Sequence, residues 1–242
     1  MDKLNLIFLD TETTGIGSED RLCQVAYKFQ GIEKEALFKP PISIGIDAMA
    51  VAHITNKMVA DKEQFLDSQM YRDLAGIFSS EHILVAHNAG FDVEMLRREK
   101  LKPKKTIDTF KLAQYFDAAG EVPKYALQYL RYYYDLEVLN APAHDALGDI
   151  RVLEKLFYYY FEKMLIGSKD EMAIIQEMLD VSARPVLVKK FNFGKYIGIS
   201  VSDVAMKDRG YLQWLLNEKV RARDQEENND ENWIYTLEHY LL

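Results

Sequence analysis

Two carboxylates, Asp10 and Glu12, stand two residues apart at the end of an apolar run, Leu4-Asn5-Leu6-Ile7-Phe8-Leu9. On extended backbone, side chains at i and i+2 face the same way. The pair therefore projects to one side, as hard oxygen ligands for a divalent cation would. The spacing alone says little, because it recurs at Asp61/Glu63, Asp92/Glu94, Asp135/Glu137 and Asp224/Glu226, where solvated surface accounts for most of it. Asp10 differs by position: it closes an apolar strand, where ligands gather in open α/β sheets. It is also followed by Thr13-Thr14-Gly15, a turn whose backbone amides can meet an anion. A further acid, Asp92, ends His87-Asn88-Ala89-Gly90-Phe91-Asp92, between an apolar strand and a helix. Two readings stand there: a first-turn Asp favoured by the helix dipole, or a third metal-site carboxylate. Asp149 closes His144-Asp145-Ala146-Leu147-Gly148-Asp149 and is either an interface residue at the edge of an apolar face or a fourth such group. His144 is a surface histidine or, with an unperturbed pKa of roughly 6.5, a general base.

The elements that must position these groups are legible from apolar spacing. Leu4 to Leu9 is apolar on both parities, which fits a strand buried on both faces. Leu22 to Phe29 predicts a second strand, and Ala36 to Phe38 a weak third. Residues 57–80 predict polar-rich helix, His82 to Ala86 a short buried strand, and Phe91 to Glu99 a helix. Ile107 to Asp117 begins extended and turns helical, and Tyr125 to Tyr134 is helical. Ala146 to Met164 is the strongest helix, with Ile150, Leu153, Leu156, Phe157, Tyr160 and Phe161 at helical period. The order of strands and helices is that of a three-layer α/β domain.

Taken in order, Phe8-Leu9-Asp10-Thr11-Glu12-Thr13-Thr14-Gly15, His87-Asn88-Ala89-Gly90-Phe91-Asp92 and His144-x-Ala146-x-x-Asp149 resemble the three motifs of the DEDDh, or DnaQ-like, 3′→5′ exonuclease superfamily. The resemblance covers residues 3 to about 165. It implies a ribonuclease-H-like fold with a mixed five-stranded sheet. It also implies that Asp10, Glu12, Asp92 and Asp149 ligate metal and that His144 is the general base. Four clustered carboxylates repel unless cations offset them. Two Mg2+ or Mn2+ ions are expected, one lowering the pKa of a bound water, the other stabilising the leaving 3′-oxygen. Nucleoside 5′-monophosphates are the expected products. The family's His-Gly-Ile-Thr element has a counterpart in Ala52-His53-Ile54-Thr55, without the Gly. By the same resemblance His53 and Ile54 touch the terminal nucleotide, Thr13 and Thr14 approach its sugar through backbone groups, and Asn88 lies near the scissile phosphate. Asp108, in Ile107-Asp108-Thr109, matches a recurrent family position of structural type. Cys23 is expected in the core.

Beyond the helical connector at 167–183, residues 184–223 form a small basic module, and 224–242 an acidic linker with an apolar tail. The nuclease domain itself is placed at 1–166. Ser182 to Arg223 holds nine Lys or Arg against three acids, a net of +6, within a chain of net charge −8. Its pairing of Phe193-Gly194-Lys195-Tyr196-Ile197-Gly198 with Gly210-Tyr211-Leu212-Gln213-Trp214 resembles the C-terminal module of exodeoxyribonuclease X-like proteins. Aromatics among lysines suit stacking on bases and neutralising phosphates. Core duty in a tiny domain is the competing explanation for most of Phe191, Phe193, Tyr211 and Trp214, and Lys195 is the expected phosphate contact. Arg97 to Lys105 carries six Lys or Arg and one Glu, which fits either a solvated helix end or a phosphate-facing edge. The tyrosines at 132–134 and 158–160 read as core and interface. Trp233, Leu237 and Leu241 recur every fourth residue, so the tail is suited to dock on its own protein or on a partner.

The chain is 242 residues, 48% hydrophobic and 28% charged, which excludes collagen-like, low-complexity and wholly disordered classes. One cysteine excludes an internal disulfide framework. No apolar run reaches the roughly 18 residues of a membrane span, and no signal peptide is expected from the residues at 1–10. A cytoplasmic protein without a membrane partner is expected. The leading expectation is an exodeoxyribonuclease acting on DNA, with single-stranded 3′ ends as substrate. An exoribonuclease of the same superfamily, an epsilon-like proofreading subunit held to a polymerase by the tail, and a non-catalytic nucleic-acid binder are the alternatives.

Overall fold

The computed structural model describes residues 5–139, 146–166, 170–225 and 230–242. The chain divides into two compact units, one of Met1–Leu112 with Lys124–Ser182, the other of Ala113–Pro123 with Ala183–Leu242.

The larger unit is built on one five-stranded sheet, ordered β3-β2-β1-β4-β5. Strand β1 (Leu6–Thr13) lies at its centre and is buried on both faces, as its unbroken apolar run requires. It pairs antiparallel with β2 (Leu22–Phe29), and β2 pairs antiparallel with β3 (Ile32–Leu37). The β2–β3 turn is Gln30-Gly31, both with positive φ (49° and 77°), the two-residue geometry that suits the twist of a hairpin. Strand β3 begins four residues earlier than the weak run at Ala36 predicts. Glu33, Lys34 and Glu35 mask it, and charges of this kind guard an edge strand from unwanted pairing.

After β3 come two short helices, α1 (Ile46–Ala52) and α2 (Asn56–Val59), and a 3-10 turn at Phe65–Asp67. Helix α3 (Gln69–Ser79) starts at Ser68, whose hydroxyl accepts from the Tyr71 amide at 3.0 Å, an N-cap of the usual kind. Strand β4 (Ile83–Ala86) runs parallel to β1 and leads directly into α4 (Ala89–Arg98). Strand β5 (Lys105–Asp108), parallel to β4, passes into α5 (Thr109–Phe116). Helix α6 (Leu127–Tyr133), the 20-residue α7 (Ala146–Leu165) and α8 (Glu171–Ala183) follow.

The alternation along β1 sorts the layers. Ile7 and Leu9 join a core with Leu74 and Phe78 of α3 and Met95 and Leu96 of α4. Phe8 points the other way and meets Phe157 of α7 edge-on, ring centroids 5.6 Å apart. Helices on both faces of a mixed sheet are the three-layer, ribonuclease-H-like plan that the sequence implies.

The smaller unit contains α9 (Val201–Lys207), α10 (Arg209–Asp224) and α11 (Glu231–Leu241). Ser200 caps α9 and Asp208 caps α10 through their side chains. Its core is Phe191, Val201, Val204, Leu212, Leu215, Trp233 and Leu237. Of the two destinations open to the tail, the structure shows docking on its own chain. Trp233 meets Phe191 at 4.9 Å, while Asn232 and Thr236 accept from the amides of Val186 and Val188 at 2.9 and 2.8 Å. Among the described residues no helix is long and apolar enough to cross a membrane.

Candidate active site

The carboxylates gather around the end of β1. Strand pairing places Asp10 opposite Ala26, and a register shift falls between Glu12 and Thr13. The extra residue is Cys23 of β2, so β2 is the strand that bends, opposite the end of β1. Asp10 shares its strand face with Phe8, the face covered by α7, whose first turn carries Asp149. The Asp10 carboxyl is held well above the usual range, first by burial and then by the charges of Asp92, Glu12 and Asp149. Residues separated by as many as 139 positions thus act on one group. Asp92, in the first turn of α4 and only 3% exposed, is pushed from 3.8 to about 7, with burial the largest cause. The Thr11 hydroxyl donates to it at 2.7 Å and opposes the shift. Asp149 accepts a hydrogen bond from the Gln128 amide of α6.

Sequence spacing does not reveal Thr11 or Gln128. Thr11 lies on the opposite strand parity from Asp10 and Glu12, which is how it reaches Asp92. Gln128 is a neutral amide 21 residues from its partner, outside any motif.

A half-buried histidine braces the β4–α4 junction. His87 lies between the Tyr125 carbonyl, 2.6 Å from Nε2, and the Thr109 hydroxyl, 2.9 Å from Nδ1. Burial lowers its pKa to about 4, so near neutral pH the ring is uncharged, with Nε2–H donating to the carbonyl. The next residue, Asn88, is in left-handed conformation (φ 62°), and its amide donates to Asp108 at 3.0 Å. Asp108 also accepts from the Phe110 amide at 2.9 Å. This buried acid ties two strand-to-helix junctions together, in keeping with a structural role.

The expected substrate contacts fall in different settings. Thr13 donates to the Gly15 carbonyl at 2.7 Å. Thr14 is fully used: its amide donates to Arg21, its carbonyl accepts from Gly45, and its hydroxyl donates to Asp20 at 2.5 Å. Gly15 leaves room for the Asp20 carboxylate, which a Cβ there would approach to 2.6 Å and displace. His53 is exposed and ends α1 in left-handed conformation (φ 56°). Ile54, by contrast, is 3% exposed and packs with Cys23, Ile44 and Val59, so its side chain is a core group in this structure. Cys23 is in the core as expected, its thiol pushed up to about 12 by burial and by Glu12. Asn88 is exposed at the start of α4. Lys195 belongs to the smaller unit and pairs with Asp208 at 2.9 Å. His144, the expected general base, lies outside the described residues.

The basic run at 97–105 is largely paired locally: Arg97 and Arg98 with Glu94, Lys104 and Lys105 with Glu81. That favours its reading as a solvated edge. Tyr160 is buried and Tyr134 stacks on Tyr159 at 4.6 Å, but Tyr132 and Tyr133 are exposed, so the core reading holds for only part of the two clusters.

The donor chemistry at β1 suits a hard divalent cation: all four groups are carboxylates, and the charges acting on Asp10 are three acids. Positive charge at that point would relieve the repulsion that raises Asp10. As placed, Asp92 is taken by Thr11 and Asp149 by Gln128. Among the described residues no three His, Cys, Asp or Glu side chains are grouped as ligands of a single ion.

Comparison with known proteins adds independent findings. The Exonuclease family model matches residues 7–157, and the Exodeoxyribonuclease X-like C-terminal model matches residues 191–219. Exodeoxyribonuclease 10 of Escherichia coli K12 is 32% identical over 206 residues, 85% of this chain and 83% of that one. DNA polymerase III subunit epsilon of Treponema pallidum is 37% identical over 163 residues, 61% of this chain and 72% of the relative. Among solved structures, exonuclease X in complex with 5′ overhanging duplex DNA aligns with TM-score 0.58 and 27% identity, covering 74% of this chain and 99% of that one. Escherichia coli exonuclease I in complex with a dT13 oligonucleotide aligns with TM-score 0.54 at 19% identity, over 66% of this chain and 42% of that one, a likeness of fold.

Proposed function

The chain belongs to the DnaQ-like exonuclease family, with an exodeoxyribonuclease X-like C-terminal segment, and from that premise we propose that it hydrolyses DNA from 3′ ends and releases nucleoside 5′-monophosphates. One observation carries the reading: the charges of Asp92, Glu12 and Asp149 all act on Asp10, at the end of the central strand. A site that concentrates negative charge in this way is poorly built to hold itself together and well built to bind cations that a phosphodiester also needs.

In this reading Asp10, Glu12, Asp92 and Asp149 hold two divalent ions, Mg2+ or Mn2+. When bound, these ions supply the charge that lets the carboxylates ionise together and lower the pKa of a water. The chain's own residues do the rest. Thr11 orients Asp92 and Gln128 orients Asp149. His144 accepts the proton of the attacking water, a role that rests on its motif position five residues before Asp149. In the same reading Thr13, Thr14, Asn88 and His53 contact the 3′-terminal nucleotide, roles that rest on their motif positions.

DNA is preferred to RNA because the match to Exodeoxyribonuclease 10 runs through both units, 85% of the chain. The likeness to an epsilon subunit covers 61% of it. The test is digestion of labelled single- and double-stranded DNA and RNA in Mg2+, with Asp10→Asn as control. DNA is expected to be shortened and RNA to persist. No metal-dependent release of mononucleotides from any of the four would overturn the proposal.

A further inference from the structure

The smaller unit leaves one large aromatic ring outside its core, at the end of two tyrosines, Tyr211 and Tyr196, that pack against that core. Trp214 stands outside the set of residues that form that core and is 55% exposed on α10. A large aromatic ring left in water is an informative departure, since burying it would stabilise the fold. Trp214 ends a row of rings. Tyr211 lies 5.5 Å from it at 37°, and Tyr196 lies 4.9 Å from Tyr211, close to perpendicular. The ammonium of Lys195 sits over both tyrosines, 4.7 Å from one ring centre and 4.8 Å from the other.

One carboxylate sets this row in place. Asp208 accepts from the Tyr211 amide at 3.0 Å, from the Tyr196 hydroxyl at 2.6 Å and from Lys195 at 2.9 Å. Gly194, at φ +66°, lets the loop run close to Tyr211, for a Cβ there would lie 3.2 Å from the phenol oxygen. Side chains fixed in advance cost little to order when a ligand arrives.

We propose that Trp214, Tyr211, Tyr196 and Lys195 form a binding site for single-stranded DNA. The exposed indole stacks on a base, and Lys195 meets a phosphate. Every base offers a face for stacking, and a nearby cation tracks the backbone, so this pairing holds a strand without reading its sequence. Residues 182–223 carry a net of +6, which the six acids of 224–242 offset to zero over 182–242, so the choice of an anionic strand rests on the lysine set among the rings and not on net charge. A protein partner would favour an apolar face, and here a lysine is set among the rings. The Lys195 ammonium has three N–H donors and its side chain is 57% exposed, so it can meet a phosphate while one donor stays on Asp208. The identity of the strand rests on the proposed function, but the site uses none of the carboxylates at β1.

The chain contains two tryptophans, and Trp233 is buried at 5% exposure, so quenching of fluorescence by an oligonucleotide reports on Trp214. The full chain is titrated with oligo(dT) in EDTA, which stops hydrolysis. Wild type is expected to quench. Trp214→Ala, with an unchanged circular dichroism spectrum, is expected to weaken binding about tenfold. Trp214→Phe is expected to restore most of the affinity without the quenching. Lys195→Gln is expected to flatten the dependence of log K on log salt by about 0.7, one phosphate's share for a single strand. A folded Trp214→Ala that binds oligo(dT) as tightly as wild type would overturn the proposal and leave the ring to a protein partner. Separately, wild-type hydrolysis of thymidine 5′-p-nitrophenyl phosphate in Mg2+ tests the nuclease reading. Its absence would overturn that reading while the binding result in EDTA stood or fell alone.

Discussion

Replacing Asp92 with Asn is expected to stabilise the protein in EDTA at neutral pH while abolishing its activity. The fold raises this carboxyl from 3.8 to about 7, chiefly by burial. Between those values the folded state binds the proton more tightly than the unfolded chain does. Stability therefore falls as pH rises through this window and stays low above it. A shift of about 3 units at about 1.4 kcal/mol per unit sets a ceiling of roughly 4 kcal/mol. Asp10 and Asp108 lie close enough to share the charge with Asp92, so the cost is spread over the group and roughly 2 kcal/mol is the working figure. Asn keeps the shape and still accepts from the Thr11 hydroxyl, so the charge is what changes. For a chain of this size, 2 kcal/mol corresponds to about 4–8 °C in Tm. The assay is thermal denaturation in EDTA from pH 4 to 8. Wild type should lose stability toward pH 7, and Asp92→Asn should lose less and melt higher at pH 8. Adding Mg2+ should raise the wild-type Tm more than that of the variant. A variant that melts below wild type at pH 8, with the same pH slope, would refute the reasoning.

Three further outcomes follow from the same structure. Gln128→Ala should lower kcat more than KM, because it releases Asp149 without touching the strand, and steady-state kinetics on a short DNA strand will show it. Phe8→Ala removes a ring buried between β1 and α7 and should cost about 3–5 kcal/mol in urea denaturation, with the transition broadened if only the larger unit unfolds early. Cys23, buried and raised to about 12, should resist thiol reagents in the native protein at pH 8 and react fully in urea.

Much of this molecule was legible because its signals are dense and local. β1 announces itself by apolar residues on both parities, and α7 by an apolar stripe sustained for five turns. The ordered motifs carry Asp10, Glu12, Asp92 and Asp149, and the fold brings the charges of the other three to bear on Asp10. What escaped depends on tertiary context. The start of β3 is hidden by charges that suit an edge strand. Helix α1 buries none of its side chains fully, so its sequence carries no clear stripe. Ile54 sits beside an exposed histidine in sequence yet points into the core. Thr11 and Gln128 act by hydrogen bonds across 81 and 21 residues, which no local spacing encodes. Trp214 and Trp233 are both tryptophans on helices of the small unit, yet one is exposed and the other central to its core. Only packing tells them apart.

The central claim is that the acids at the end of β1 drive removal of nucleotides from a DNA 3′ end. The most direct measurement follows a 5′-labelled single strand in Mg2+, resolved to one nucleotide, with Asp10→Asn run beside wild type. The expected result is a ladder that shortens stepwise from the 3′ end, nucleoside 5′-monophosphates as products, and an inert variant. Internal cuts without a ladder, or a ladder that Asp10→Asn produces at the wild-type rate, would contradict the claim.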